Sequence, residues 1–186
     1  AMAQPAHNTV TEAEYLALDE ADPFKLEFVN GEVLAMAGAT EAHSILRGNV
    51  EFALRSRLHT RSPCRVHSAD LRVRIDETGM YAYPDVLVVC EQPRWSPTRP
   101  ETLLNPRIVV EILSESTAAY DCGPKLRHYL LRSSVQSVLL VDSRVCRIEV
   151  WNRLGETDWH VEAFKAGEFP VSGVEQRLTV EEIYEG

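Results

Sequence analysis

Two apolar runs of strand length, "YAYPDVLVVC" at residues 81–90 and "RIVVEIL" at residues 107–113, constrain this chain more than any other feature. Stretches rich in Val, Ile and Leu without polar alternation belong to strands covered on both faces. Each nevertheless carries one acid, Asp85 near the entrance of the first and Glu111 inside the second. An ionised carboxylate is costly to bury unless it is paired or coordinated, so both acids need partners.

The surrounding pattern supplies helices and further strands. "TEAE" at residues 11–14 has capping-box spacing and predicts a short helix to about Leu18. "KLEFVNGEVLAMAG" places two strand-like runs around Asn30-Gly31, which predicts a hairpin. Thr40 is a natural N-cap for a longer helix whose Leu46, Val50, Ala53, Leu54 and Leu58 form one apolar face, with Glu41 and His43 in its first turn. "CRVHS" and "LRVRI" read as strands, and residues 91–105, with Pro93, Pro97 and Pro100, read as a surface loop. Asp121 is expected to cap a helix, "DCGPKLRHYLLRS", with Lys125 near its start. "SVLLVD", "RIEVWNR" and "WHVEAF" follow as strands, and Thr179 with Glu182 makes a second capping box. The sum is one α/β (α+β) domain over residues 1–186, a mixed sheet flanked by helices. Residues 1–8 are expected to be a flexible terminus, with Ala1 ahead of Met2 as a tag remnant.

Charge narrows the function classes. Nineteen basic against 28 acidic residues, net −9, argue against a protein that gathers a phosphate backbone through its overall field. Arg55, Arg57, Arg61, Arg65, Arg72 and Arg74 cluster in sequence, and are read as solvated surface rather than a basic groove. Cys64, Cys90, Cys122 and Cys146 are widely spaced without a C-x-x-C pair, so reduced thiols, no zinc site and a cytoplasmic protein are expected. No apolar run reaches the length of a membrane span. No Gly-rich phosphate loop follows a strand, which weighs against a nucleotide-binding fold. Tyr129, Trp151 and Trp159 are read as core residues.

If the strands of Asp85 and Glu111 are neighbours, two carboxylates meet and repel unless a divalent cation lies between them. Mg²⁺ suits such a pair, since one or two carboxylates suffice and its remaining waters leave room for phosphate oxygens. Lys125 is the available ammonium for orienting an attacking water or stabilising charge at phosphorus.

These residues resemble the PD-(D/E)XK, restriction-endonuclease-like superfamily, and within it the Uma-two family. The resemblance rests on Pro84-Asp85, on Glu111 in an apolar strand 26 positions later, and on pieces spread nearly end to end: "NGEVLAMAGATEAHSIL", "SADLRVRI", "ETGMYAYPDVLVV", "TLLNPRIVVEILSESTAAYDCGPKLRHY" and "LTVEEIYEG". It implies a restriction-endonuclease-like mixed sheet, Mg²⁺ or Mn²⁺ held by Asp85 and Glu111 with the Ile112 carbonyl, and a homodimer acting on DNA. The superfamily pattern has Lys two positions after the Glu, where this chain has Leu113; in the family the lysine has moved to the following helix, where Lys125 stands. Asp70 in "SADLRV" matches as a further metal carboxylate and His43 as a catalytic residue, with Glu41 beside it as a weaker candidate. The expected activity is therefore metal-dependent endonucleolytic hydrolysis of DNA. The alternatives are a nuclease fold that binds or regulates without cutting, and a metal-dependent hydrolase of small phosphoesters.

Overall fold

Thr11 and Glu14 close the expected capping box and start α1 (Glu12–Ala21), three residues longer than the sequence pattern reaches. The computed structural model describes residues 9–36, 38–58, 63–98 and 101–186, so the stretch 1–8 and Arg61 lie outside the described residues. β1 (Leu26–Val29) and β2 (Glu32–Ala35) form the predicted hairpin, with Asn30 and Gly31 both at positive φ, 51° and 84°, as a two-residue turn demands. A Cβ on Gly31 would lie 2.8 Å from that of Thr9, so the turn also needs the missing side chain. Helix α2 (Glu41–Leu58) buries the five apolar residues its periodicity selects.

Next come β3 (Arg65–Ser68) and β4 (Arg72–Ile75), and here the structure corrects the sequence reading. The run 81–90 is two strands, β5 (Met80–Ala82) and β6 (Val86–Val89), in different sheets. The break has a local cause. Pro84 has no N–H to give a ladder, and the Tyr83 N–H is taken by the Glu27 carboxylate at 3.0 Å.

The proline-rich loop contains β7 (Thr102–Leu103), parallel to β4, and leads into β8 (Ile108–Leu113). The helix expected from Asp121 begins earlier, as α3 (Ala118–Tyr120), runs through a π-turn at Asp121–Lys125 and continues as α4 (Leu126–Leu131). Asp121 is thus inside the helix, not its cap. Pro124 is the reason, because it lacks the donor for the bond four residues back, and the chain recovers by a five-residue bond from Leu126 N–H to Asp121 O.

β9 (Ser137–Asp142), β10 (Ile148–Arg153), β11 (Trp159–Phe164), β12 (Glu168–Phe169) and β13 (Leu178–Thr179) precede α5 (Val180–Tyr184). The Thr179–Glu182 capping box forms as predicted, and Glu182 also takes Arg57 of α2 at 2.7 Å. Thr179→Ala is expected to lower stability by about 1 kcal/mol, the usual cost of losing such a cap, read as a lower urea midpoint with unchanged slope.

Among the described residues the strands make two mixed sheets, ordered β2-β1-β5-β4-β7 and β11-β10-β9-β8-β6-β3, and a β12–β13 ribbon. The six-stranded sheet is covered on both faces. Val86 and Val88, Val110 and Ile112, and Leu139 and Val141 pack towards α2 and α5, while Leu87, Val89, Val109, Val138 and Leu140 meet the second sheet and Tyr129 of α4. That double covering explains the uninterrupted apolar runs. β10 lies between β9 and β11, so "RIEVWNR" is not a free edge; the edge is β11.

Two further expectations are corrected. Cys64 and Cys90 form a disulfide, because Arg65 pairs with Val89 and the next step of that register puts the two cysteines opposite each other; Cys122 and Cys146 are free thiols. Arg72 is not solvated but fully buried, its guanidinium 2.6 Å from Asp19 and 2.9 Å from the Thr102 hydroxyl. Trp151 and Trp159 are half-buried at the margin of the second core, with the Arg153 guanidinium 4.2 Å from the Trp159 ring. No described helix is long and apolar enough to cross a membrane.

Candidate active site

The β6–β8 ladder builds the site. Val86 pairs with Val110, and one step further along the same antiparallel register Asp85 comes opposite Glu111. The pairing runs out at Pro84, which leaves the Ile112 N–H without a backbone acceptor. Asp85 supplies one: its Oδ2 accepts from Ile112 N at 2.8 Å, and its Oδ1 lies 2.7 Å from His43 Nε2. The acid at the strand entrance is thereby held from two sides, by a buried amide and by the first turn of α2.

Glu111 is fixed from the helical side. Period two along β8 turns it to the face of Val109 and Leu113, under the π-turn and α4. Its Oε1 accepts from Lys125 Nζ at 2.9 Å and from the Tyr129 hydroxyl at 2.7 Å. Lys125 Nζ also lies 2.9 Å from Glu27 Oε1 and 3.5 Å from Asp121 Oδ1. The π-turn matters here, since it sets Asp121 and Lys125 together over Glu111.

Four carboxylates, Glu27, Asp85, Glu111 and Asp121, therefore share one cavity, which Lys25, Arg47 and Lys125 also line, and the Lys125 ammonium pairs with three of the four. Burial pushes the Glu111 carboxyl well above the ordinary carboxylate range, and the charges of Asp121, Asp85 and Glu27 push it further, outweighing the pull of Lys125. Burial works against the Lys125 ammonium, but Glu111, Tyr129, Glu27 and Asp121 more than compensate and hold its pKa well above the usual lysine value. Asp121 is raised for the same reason as Glu111, burial first. Both directions have one meaning: Glu27, Glu111 and Asp121 share the one ammonium of Lys125 in a buried place, which favours retaining protons there.

The donor set fits a hard divalent ion. Among the described residues no three His, Cys, Asp or Glu side chains gather as a ready metal shell. Mg²⁺ does not need one, because one or two carboxylates with several waters satisfy it. Asp85 and Glu111 would supply the anionic oxygens.

Of the residues singled out in the sequence, Asp85, Glu111, Lys125 and His43 line this one cavity of about 650 Å³. Asp70 does not join them: its carboxylate is exposed and ion-paired with Lys25. Glu41 is exposed in the first turn of α2. Sequence reading missed Glu27, although it carries the signal that singled out Glu111, an acid within an apolar strand. It also took Tyr129 as core alone; the ring is core, and the hydroxyl belongs to the site.

Mixed sheets flanked by helices, with this carboxylate–lysine cluster at the strand junction, define a restriction-endonuclease-like domain. A crystal structure from Anabaena variabilis, described as a putative nuclease belonging to DUF820, superposes with a TM-score of 0.70 at 17% identity, covering 91% of this chain and 97% of that one. The chain belongs to the Uma2 family, whose model, described as "Putative restriction endonuclease", matches residues 12–180. Two uncharacterised proteins of Synechocystis sp. are relatives. One is 33% identical over 150 residues, covering 81% of this chain and 84% of its own. The other is 30% identical over 174 residues, covering 93% and 90%.

Proposed function

We propose that this protein is a Mg²⁺- or Mn²⁺-dependent endonuclease that hydrolyses phosphodiester bonds in DNA. The observation that carries the reading is Lys125 Nζ at 2.9 Å from Glu111 in the cavity that Asp85 shares. With Leu113 where the superfamily has its lysine, a lysine from the next helix reaches the same carboxylate. The membership of a family described as restriction endonucleases supports the activity class.

In this reading Asp85 and Glu111 hold the divalent ion, which supplies charge neutralisation at the phosphate and a more acidic water. Lys125 keeps its proton at neutral pH and donates hydrogen bonds, so it orients a water or meets negative charge developing on the phosphate oxygens. Glu27 and Asp121 keep that ammonium charged and aimed. Tyr129 donates to Glu111 Oε1 and so fixes the carboxylate's rotamer. His43 holds Asp85 Oδ1 through its Nε2 at 2.7 Å and so fixes the carboxylate's orientation.

Calorimetric titration with Mg²⁺ and Mn²⁺, followed by plasmid nicking at low salt, tests this on the wild type and Glu111→Gln. We expect metal binding and nicking by the wild type, with loss of both in the variant. Metal binding without nicking, combined with turnover of a chromogenic phosphodiester, would instead favour a small-phosphoester hydrolase. Absence of both binding and turnover would favour a non-catalytic module.

A further inference from the structure

Asp85 and Glu111 are buried in the cavity, at 6% and 3% exposure, and apolar residues including Phe24, Leu34 and Met36 also line it. Phe24 stands out, because it lines the mouth of the candidate site and is 69% exposed. Its backbone is fixed from both sides. The Asp22 carboxylate accepts from Phe24 N–H at 2.8 Å in a side-chain turn, and the carbonyl of the next residue, Lys25, accepts from Met36 N–H at 3.1 Å. An aromatic held in place yet left uncovered has its face free to accept a flat partner.

Arg47 supplies the complementary chemistry. It lies one turn after His43 on α2 and lines the same cavity, and among the described residues its guanidinium makes no ion pair or hydrogen bond.

Resting on the phosphodiesterase reading above, we infer that the substrate segment entering this cavity is an unpaired nucleotide of a single strand, with its base on Phe24 and a neighbouring phosphate on Arg47. Duplex DNA is a stiff rod with a persistence length of about 50 nm and carries its phosphates on a convex surface. Its bases are paired and stacked within that rod, so none is free to lie on Phe24. A single strand can turn one phosphodiester inward, and stacking its base on a protein aromatic replaces the stacking it lacks. Phe24, Leu34 and Met36 then meet the base, and the carboxylates meet the phosphodiester through the metal ion they would hold.

The test is fluorescence anisotropy and quenching of a single-stranded oligonucleotide carrying one 2-aminopurine, against the same sequence as a duplex, in EDTA and in millimolar Mg²⁺. We expect tighter binding of the single strand, with quenching in the wild type. Phe24→Ala should weaken binding about tenfold, the loss of one base–aromatic stack, and remove the quenching, while Phe24→Trp restores both. Arg47→Ala should lower the salt dependence by about one phosphate contact. Phe24 is exposed, so its variants should keep the wild-type melting temperature. Equal binding of duplex and single strand, no binding in either buffer, or an unchanged Phe24→Ala overturns the inference. Phe24-dependent binding without any cleavage upholds it while removing the hydrolytic reading. Nicking of duplex that ignores Phe24 does the reverse.

Discussion

Lys125→Met is expected to destabilise the protein by about 3–5 kcal/mol at neutral pH, the usual consequence of removing one partner from a buried ionic group, and to reduce cleavage by at least ~10²-fold. The ammonium is 3% exposed and is the cation that Glu27, Glu111 and Asp121 share. Without it three buried carboxylates repel one another, with only neutral donors such as the Tyr129 hydroxyl and the Tyr83 N–H to offset their desolvation. The pH dependence identifies the cause. Lys125 has a folded pKa above its ordinary 10.5, so its stabilisation is complete below that value and is lost as pH rises through the higher folded value. Glu111 is raised above its ordinary 4.5, so it contributes most stability below 4.5 and progressively less as pH rises towards its folded value. Removing Lys125 pushes Glu111 higher still. The deficit of Lys125→Met should therefore shrink as pH is lowered, and the variant should lack the alkaline loss that the wild type shows. Urea denaturation from about pH 5 to pH 10 reads the acid arm, while the alkaline arm lies above 10.5. A deficit that is constant across that range would mean that the lost packing of the side chain, not its charge, dominates.

Asp85→Asn and Asp85→Ala should separate the two jobs of this acid. The Asn oxygen can still accept from Ile112 N–H and its amide can donate to a neutral His43, so stability should stay within about 1 kcal/mol of wild type. The Ala variant leaves the buried Ile112 N–H without an acceptor, a loss of about 1–3 kcal/mol. Both changes delete the anionic oxygens, so both should abolish the calorimetric Mg²⁺ signal and bring nicking to background. Undiminished Mg²⁺ binding by Asp85→Asn would move the metal role to the other acids of the cavity. A nuclease fold without activity would tolerate loss of a needless buried charge. The Ile112 bond shows why stability alone cannot discriminate here: Asp85 closes a strand end whether or not it ever meets a metal.

The sequence carried most of the fold because its signals are local. Asn30-Gly31 allows the positive φ of a two-residue turn, Thr11–Glu14 and Thr179–Glu182 satisfy helix ends from within three residues, and the face of α2 follows from its own periodicity. It also marked Asp85 and Glu111, because an acid in a run that must be buried is conspicuous without knowing its partner. Partnership is a different kind of fact. Glu27 sits 84 residues from Glu111 in sequence, and the two share Lys125 only because the two sheets fold against the same π-turn. Pro84 stood inside a run read as one strand, and that its two sides enter different sheets depends on which strands lie beside each. Asp70 matched by position and was claimed by Lys25 in space. Arg72 looked like surface charge and is a buried pair with Asp19, and the Cys64–Cys90 bond follows from the β3–β6 register. Backbone propensity and burial pattern act along the chain, so the sequence alone determined the elements and their buried acids. Pairing of charges acts through space and falls off within a few ångströms, so only the tertiary structure decided which acids share a lysine.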